Sequence, residues 1–401
     1  MLPERLEFAP ERDTEIFAAV PATPAVFLLR GEDKAEPYVS KTANLRRRLQ
    51  RLLGAADDRT RKLNLRHRVR SIAYAPTGSD FESGFLLYKL LRENFPKTYA
   101  QRLRFRFAPL VKLHLENEYP RASITTRLGR LNGRALYYGP FLSRIAAEKF
   151  MNDSLDFFKM RRCVDDLHPD PKFPGCIYSE MKMCLAPCFK GCTDQEYAVE
   201  VNRVQQYLDS SGDSLLRELS AQRDAASTEL AFEKAQEIHV RLEKLKPLVT
   251  QLPEIVRRLD RFTALMIQPS HLPESVALFR IESGTIIGPA AFCIQSPEHT
   301  KSQSMELRVQ SALESFPRTK ARSALETMEH LALLKRWYYR GRRAGEIFFA
   351  DENGALPMRR MVRGIGRVLK GEPAEEEAPP PNTSAQREIT KRDGAVHPPQ
   401  N

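Results

Sequence analysis

The chain has 401 residues, of which 42% are hydrophobic, and carries a net charge of +12 with a pI near 9.4. This length predicts two to three packed domains, and the positive charge indicates a polyanionic partner such as nucleic acid. The sequence contains no run of about 18 apolar residues, the length that a membrane-spanning helix needs. Its charged N-terminus is unlike a secretory leader. We therefore expect a cytoplasmic protein.

Strands and helices are mixed over the first hundred residues. Short apolar runs predict three strands, at residues 24–30, 37–40 and 68–76. A helix is predicted from Asn44, its N-cap, to Leu53. A second helix is predicted in SDFESGFLLYKLLREN and ends before Pro96. Together these elements predict a compact α/β domain over residues 20–105.

The middle of the chain divides by composition into three parts. Alternating apolar and polar residues predict a β-rich annex over residues 106–160. A cysteine-rich segment follows at 161–195. Residues 196–252 are charged and helical, and their length fits the two helices of an antiparallel hairpin.

The last part of the chain predicts a small α/β region followed by a tail. Over residues 256–366, three apolar runs predict strands, with a turn at Gly284, and a helix is predicted at about residues 319–340. Trp337 on that helix is predicted to be a core residue. Residues 371–401 are polar and rich in proline, and we expect them to be disordered. The predicted fold class is therefore α/β (mixed α+β).

Five of the six cysteines crowd together with the spacing C-x12-C-x7-C-x3-C-x3-C, at Cys163, Cys176, Cys184, Cys188 and Cys192. In a reducing cytosol this density favours a metal or cluster site over disulfides. Zinc knuckles usually contain C-x2-C, whereas iron–sulfur clusters accept wider spacing. Spacing alone leaves iron–sulfur, zinc and free thiols open. Cys293 stands apart and is predicted to be a buried thiol.

Four motifs within residues 20–295 carry a family resemblance. They are YVSKTANLRRRL at 38–49, YYGPF at 137–141, the cysteine block ending in CLAPC at 184–188, and LAFEKA at 230–235. Together they resemble the UvrC family of the ABC excinuclease, the dual-incision nuclease of bacterial nucleotide excision repair. The cysteine block with its flanking motifs is the most specific part of the resemblance.

The resemblance implies a function for each part of the chain. Residues 20–105 would be a GIY-YIG nuclease-like domain. Residues 196–252 would be a UVR hairpin that binds UvrB, with Phe232 and Glu233 as contacts. The cluster would be [4Fe–4S], with zinc as the alternative, on the family's four cysteine positions, Cys163, Cys176, Cys184 and Cys188.

Residues 256–366 would be a remnant of the family's C-terminal half. Only about 75 residues separate Gln295 from the predicted tail. We expect this length to be too short for the family's RNase H-like and helix-hairpin-helix domains.

The resemblance also assigns catalytic positions. In the family nuclease a glutamate binds one divalent metal, a tyrosine helped by a lysine activates water, and an arginine steadies the phosphoryl group. Tyr38, Lys41 and Arg48 match the last three. The first motif has become Ala25-Val26-Phe27.

Other family positions have changed as well. Ser40 replaces a glycine, and Tyr99 stands where the family has an asparagine. Leu87 occupies the position of the metal-binding glutamate, and leucine cannot ligate a metal. The nearby carboxylates are off the face or about two turns away on the predicted helix, at Asp80, Glu82 and Glu93.

Three functions are therefore open. The first is a UvrC-like repair protein that binds DNA and UvrB, with weak or no cutting by its GIY-YIG domain. The second is an active single-incision endonuclease that uses Mg²⁺ or Mn²⁺ and an unrecognised ligand. The third is an iron–sulfur DNA-binding regulatory protein.

Two groups of residues have plain structural alternatives. The predicted DNA contacts on the basic helix, Arg46, Arg47 and Arg51, could instead form a solvated helix face. Phe232 fits a core position as well as it fits a partner contact.

Overall fold

The computed structural model describes residues 2–32, 35–55, 63–129, 134–164, 167–294, 304–317 and 323–374. Within these ranges the chain forms α-helices and three four-stranded antiparallel sheets. This confirms the predicted mixed α/β class. We call the sheets, in chain order, the N-terminal sheet, the annex sheet and the C-terminal sheet.

The N-terminal sheet contains the strands predicted in this region and one more. Its strands are β1 (Glu4–Glu7), β2 (Ala25–Arg30), β3 (Tyr38–Thr42) and β4 (Ser71–Pro76). Its helices are α1 (Asp13–Ala19), α2 (Leu45–Leu53), α3 (Asp80–Asn94) and α4 (Tyr99–Leu103). The strand order β1-β4-β2-β3 leaves β3 at an edge. β1 and α1 precede residue 20, where the predicted domain begins.

Burial in this sheet follows directly from sequence pattern. The apolar run AVFLLR of β2 is buried on both faces, apart from its last residue, as is typical of a central strand. In α2, the four leucines at i, i+4, i+7 and i+8 are all buried, at Leu45, Leu49, Leu52 and Leu53. Of the arginines of α2, Arg47 and Arg51 are left exposed on its outer side.

The annex sheet combines two distant parts of the chain. Its strands are β5 (Leu110–Leu113), β6 (Ala122–Thr125), β7 (Leu136–Gly139) and the two-residue β8 (Arg257–Arg258). Its order is β6-β5-β7-β8, and helix α5 (Arg144–Leu155) contacts β5 and β6. Because β8 follows the helical region in sequence, the annex and the C-terminal region are joined by backbone hydrogen bonds.

The helical region contains three long helices where two were predicted. After the short α6 (Ile177–Glu180) come α7 (Asp194–Asp209), α8 (Asp213–Thr228) and α9 (Phe232–Thr250). The first break lies at Ser211 and Gly212, whose φ angles of 52° and 101° are left-handed. Glycine adopts this conformation without steric cost. The two-helix prediction was wrong because the Ser-Ser-Gly break interrupts the helical segment.

The C-terminal sheet confirms the predicted strands and the turn at Gly284. Its strands are β9 (Thr263–Pro269), β10 (Ser275–Glu282), β11 (Thr285–Cys293) and β12 (Glu346–Phe349), in the order β11-β10-β9-β12. Its helices are α10 (Met305–Glu314), α11 (Ala324–Tyr338) and α12 (Met358–Lys370). The first residues of the helix predicted at 319–340 lie outside the described ranges. Neither α10 nor α12 was predicted.

Helix α3 joins the N-terminal and C-terminal sheets. Phe81 and Phe85 lie edge-on to Phe279 of β10, with ring centroids 5.1 and 5.9 Å apart. Trp337 of α11 is 6.0 Å from Phe81 and only 6% exposed, so its predicted core position is confirmed. One face of α3 is therefore committed to packing against the C-terminal region.

Four further expectations concern Cys293, membrane helices, the tail and the domain boundaries. Cys293 is exposed rather than buried, because it ends strand β11 at the edge of its sheet. No described helix is long and apolar enough to cross a membrane. Most of the tail predicted at residues 371–401 lies outside the described residues, which end at residue 374. The predicted domain boundaries stay predictions.

Candidate nucleic-acid interface

Tyr38 and Arg48 are brought together at the edge of the N-terminal sheet. The Asn44 side chain accepts a hydrogen bond from Arg47 N at 2.9 Å, which caps α2 as predicted. One turn later, Arg48 Nη2 donates to Tyr38 Oη over 2.8 Å. The Tyr38 ring packs 6.0 Å from that of Phe27. The structure thus places the expected base and the expected phosphate clamp in direct contact.

Arg48 makes this contact at a structural cost. Its Nε is buried and makes no hydrogen bond within the described part of the chain. A buried donor without an acceptor costs about 1–3 kcal/mol. Packing alone therefore does not favour arginine at this position.

Lys41 belongs to the opposite face of the same strand. The pairing of β2 with β3 is regular, so Tyr38 and Lys41, three residues apart, point to opposite sides of the sheet. Lys41 Nζ forms an ion pair with Asp80 in the first turn of α3. Arg340, just beyond α11, pairs with the other oxygen of Asp80. The structure therefore separates Lys41 from the Tyr38–Arg48 pair.

Helix α3 has no carboxylate at the expected metal-binding position. Leu87 is partly buried and packs against the main hydrophobic core. Glu82 is buried and accepts a hydrogen bond from Gly78 N at 2.8 Å, at the start of the helix. Burial raises the pKa of Glu82 above its ordinary value. Glu93 is exposed near the other end of α3.

Tyr99, at the position of the family's asparagine, forms a buried contact with helix α11. Its hydroxyl donates to Glu329 Oε1 of α11 at 2.5 Å, and Tyr88 of α3 donates to Glu329 Oε2 at 2.8 Å. Glu329 is 1% exposed. Burial and the bond to Glu329 raise the pKa of Tyr99 to about 12 and also raise the pKa of Tyr88, so both hydroxyls stay protonated donors. This buried network fixes α3 and α4 against α11.

The three predicted DNA-contact arginines of α2 are placed differently. Arg46 Nε donates to Val20 O at 2.8 Å and Nη2 donates to Ala18 O at 3.2 Å, so that Arg46 caps the end of α1. Arg47 and Arg51 are exposed and four residues apart on the outer side of α2. Arg47 and Arg51 are therefore the α2 cations placed for contact with a phosphate backbone.

Four of the clustered cysteines influence one another. Burial raises the pKa of the Cys184 thiol to about 11, and charge on Cys163, Cys188 and Cys176 acts in the same direction. Burial also raises the pKa of Cys192, and the charges of Glu196, Asp194 and Cys188 act in the same direction. Cys184 is thus influenced by all three of the other predicted ligands, and Cys192 by Cys188 alone among them.

Against this effect of burial, two hydrogen-bond donors contact the sulfurs. Arg161 Nη1 donates to Cys163 Sγ at 3.4 Å, and Ala186 N donates to Cys184 Sγ at 3.3 Å. All six cysteines are free. In the described ranges, no three His, Cys, Asp or Glu side chains form a ready metal-binding group. The donor set fits a thiolate-bound cluster or zinc, although its sulfurs do not stand in ligating positions.

The turn between α8 and α9 exposes an apolar tip. Leu230 is 71% and Phe232 66% exposed, although both are large hydrophobic residues. Glu233 follows at the start of α9 and is also exposed. Phe232 is therefore not a core residue within this chain, and the core alternative is wrong. Its position on the first turn of α9 points it away from the packed side of the hairpin.

Two basic elements of the structure were not predicted from the sequence. Arg340 reaches Asp80 from a segment 260 residues away, and no local pattern signals such a pair. Helix α12 could have been predicted, because its apolar residues Met361, Ile365 and Val368, which are buried, follow helical spacing. Its exposed side carries Arg359 and Arg363.

Comparison with known proteins relates the chain to UvrC proteins. Residues 109–207 match the family model described as "UvrC/Cho excinuclease, middle domain". This span holds β5 to β7, the five clustered cysteines and most of α7. No solved structure gives a significant match to the chain.

Curated relatives extend the similarity beyond that span. UvrABC system protein C of Rickettsia bellii is 28% identical over 268 residues, which are 65% of this chain and 41% of the relative. The protein of the same name from Ruminiclostridium cellulolyticum is 23% identical over 278 residues, 69% of this chain and 45% of the relative. That from Acetivibrio thermocellus is 21% identical over 322 residues, 79% and 51% respectively. The chain thus spans about half the length of these relatives or less.

Proposed function

We propose that this chain is a UvrC-like nucleotide excision repair protein that binds DNA at the basic edge of its N-terminal sheet without cutting it there. Leu87 carries the proposal: where a metal-binding glutamate would be expected, the side chain is apolar and packed against the core. A hard cation requires oxygen ligands. The Tyr38–Arg48 pair and the α2 arginines retain groups that bind phosphate.

The proposed binding needs neither Mg²⁺ nor Mn²⁺. Lys41, the expected helper of the base, is paired with Asp80 instead of facing Tyr38. Tyr38 lies on the other face of the sheet, where Phe27 and Arg48 hold its ring and hydroxyl. These contacts favour a binding role over general-base chemistry.

A UvrB-like protein is the proposed partner of the α8–α9 tip. An exposed phenylalanine beside an exposed leucine is costly in water and typical of a contact that buries both. Glu233 beside them would add a charged rim contact. The family resemblance of LAFEKA supports the choice of partner.

Cys163, Cys176, Cys184 and Cys188 would hold the proposed [4Fe–4S] cluster, or zinc. When bound, either group would cross-link a segment that has little regular secondary structure and so stabilise its fold. The backbone N–H of Ala186 and the Arg161 guanidinium would then donate to bound sulfur.

Replacing Arg47 and Arg51 together by alanine should weaken duplex DNA binding. Each lost phosphate contact reduces the slope of log affinity against log salt by about 0.9, so the double variant should lose about 1.8. Fluorescence anisotropy at several salt concentrations measures this slope. The control is Arg12→Ala with Arg144→Ala, which removes the same charge from exposed ion pairs elsewhere. Equal losses in both double variants would show only a net-charge effect.

Replacing Cys184 by serine should abolish cluster binding. Among the predicted ligands, Cys184 is the thiol whose pKa is raised by the charges of the other three. Anaerobically purified wild type should be brown, and this variant should be colourless. Cys192→Ser should keep the colour. A colourless wild type that carries one zinc would favour the zinc alternative, and an unchanged spectrum in Cys184→Ser would contradict its role as a ligand.

A further inference from the structure

Three charged side chains from distant segments meet on the face of strand β3 opposite the Tyr38–Arg48 pair. Lys41 comes from the edge strand β3, Asp80 from the first turn of α3, and Arg340 from the segment after α11. Lys41 Nζ contacts Asp80 Oδ1, and Arg340 Nη1 contacts Asp80 Oδ2. One carboxylate therefore has a different cation on each oxygen.

The charge balance of this cluster favours an anionic ligand. Two cations surround one carboxylate, which leaves an excess of one positive charge. Burial pushes the pKa of Asp80 up, but the hydrogen bonds and charges of Lys41 and Arg340 outweigh it and hold the pKa below its ordinary value. Asp80 is therefore ionised at neutral pH. Its two cations repel a divalent metal and leave Asp80 no role as a substitute for the missing glutamate.

The geometry also resembles that of a bound phosphodiester. The two oxygens of a carboxylate and the two non-bridging oxygens of a phosphodiester are similarly spaced and accept the same donors. Lysine and arginine both bind phosphate, lysine as a point charge and arginine through its planar guanidinium. The two cations thus already bind one anion that offers an oxygen to each of them.

Solvent can reach all three side chains. The exposed fractions are 37% for Lys41, 54% for Asp80 and 50% for Arg340. Ion pairs this exposed contribute little to folding stability. A phosphate can therefore replace the carboxylate without opening the core.

Further basic residues lie near Arg340 in the chain. Arg336 and Arg342 are exposed around the end of α11. Lys335 lies among further cations, since burial and then the charges of Arg106 and Arg336 lower its pKa. The exposed arginines of α2 follow strand β3 directly in the chain and extend the set of cations near this edge strand. A polymer with a regular row of phosphates complements such a surface.

We propose that Lys41 and Arg340 form a DNA phosphodiester site in which Asp80 is an internal competitor that the phosphate must displace. This rests on the proposed DNA binding and adds two things to it. Arg340 makes the C-terminal region part of the DNA-binding surface. Asp80 lowers the affinity for DNA, because it competes with the phosphate for both cations.

Asp80→Asn provides the test, with duplex DNA as the probe and the full chain as the protein. The variant should bind about tenfold more tightly at low salt, since two cations no longer have to exchange partners. Its salt slope should steepen by up to about 0.9, the contribution of one neutralised phosphate. The matched control is Asp153→Asn, which removes a carboxylate from an exposed ion pair with Lys149. Urea unfolding checks that both variants are folded.

Two further variants make the test independent of Asp80→Asn. Adding Lys41→Ala and Arg340→Ala to Asp80→Asn should remove the whole gain. In the otherwise wild-type chain, Lys41→Ala with Arg340→Ala should weaken binding and reduce the salt slope. Equal affinities for Asp80→Asn and Asp153→Asn, or a gain that survives in the triple variant, would overturn the proposal. So would polyglutamate that competes as well as DNA at equal charge.

The same titrations distinguish failure of this site from failure of the proposed function. If Arg47→Ala with Arg51→Ala weakens binding and Asp80→Asn changes nothing, DNA binding stands and the Lys41–Arg340 site does not. If neither wild type nor Asp80→Asn binds DNA, both proposals fail.

Discussion

Replacing Glu329 by alanine should destabilise the protein by about 3–5 kcal/mol. Glu329 is 1% exposed and accepts hydrogen bonds from Tyr88 and Tyr99. Its removal leaves two buried hydroxyls without an acceptor, at about 1–3 kcal/mol each, and a cavity between α3 and α11. Urea denaturation followed by far-UV circular dichroism measures the change.

Glu326→Ala is the matched control on the same helix. Its carboxylate is 3.2 Å from Arg92, and its side chain is 19% exposed, so we expect a smaller loss, of about 1 kcal/mol. Tyr99→Phe should lie between the two, because it removes one donor and leaves Tyr88 bound. If Glu329→Ala and Glu326→Ala lose the same stability, the buried network does not hold α3 against α11.

Replacing Phe232 by alanine should weaken binding of a UvrB-like protein by about 2–4 kcal/mol, or roughly 30- to 1,000-fold in Kd. A large aromatic side chain that is 66% exposed in the free protein is available to be buried by a partner. For the same reason its removal should leave the free energy of unfolding within about 0.5 kcal/mol of wild type. Isothermal titration calorimetry with purified UvrB measures the affinity.

Val199→Ala is the control for loss of exposed apolar surface. Val199 lies on α7 and is 52% exposed, so its removal should change neither affinity nor stability appreciably. Glu233→Ala should reduce affinity by less than Phe232→Ala, because a rim charge contributes less than a buried aromatic anchor. An unchanged affinity of Phe232→Ala would place the partner contact elsewhere.

Local patterns in the sequence predicted much of the fold correctly. The Asn44 cap, helix α2 itself and the turn at Gly284 each depend on neighbours within a few residues. Such signals persist because helix caps and amphipathic faces are set by local geometry. Helix α12 was missed despite a signal of the same kind, and so was the break at Gly212.

Side-chain contacts between distant segments were less predictable than the local elements. Tyr88 and Glu329 are separated by 241 residues, and nothing in either local sequence selects the other. Asp80 was considered only for its place on α3, whereas its role follows from Lys41 and Arg340. Matching Lys41 to a family position also did not predict that strand alternation would turn it away from Tyr38.

Plasmid nicking tests the central claim, that this site binds DNA without cutting it, most directly. Ultraviolet-damaged supercoiled plasmid is incubated with UvrB, the full chain and Mg²⁺ or Mn²⁺, and the relaxed fraction is measured on gels. We predict no nicking by wild type above that of Tyr38→Phe, together with DNA binding by both. Nicking by wild type that Tyr38→Phe abolishes would contradict this claim, since Tyr38 would then act in catalysis with a metal ligand other than Leu87.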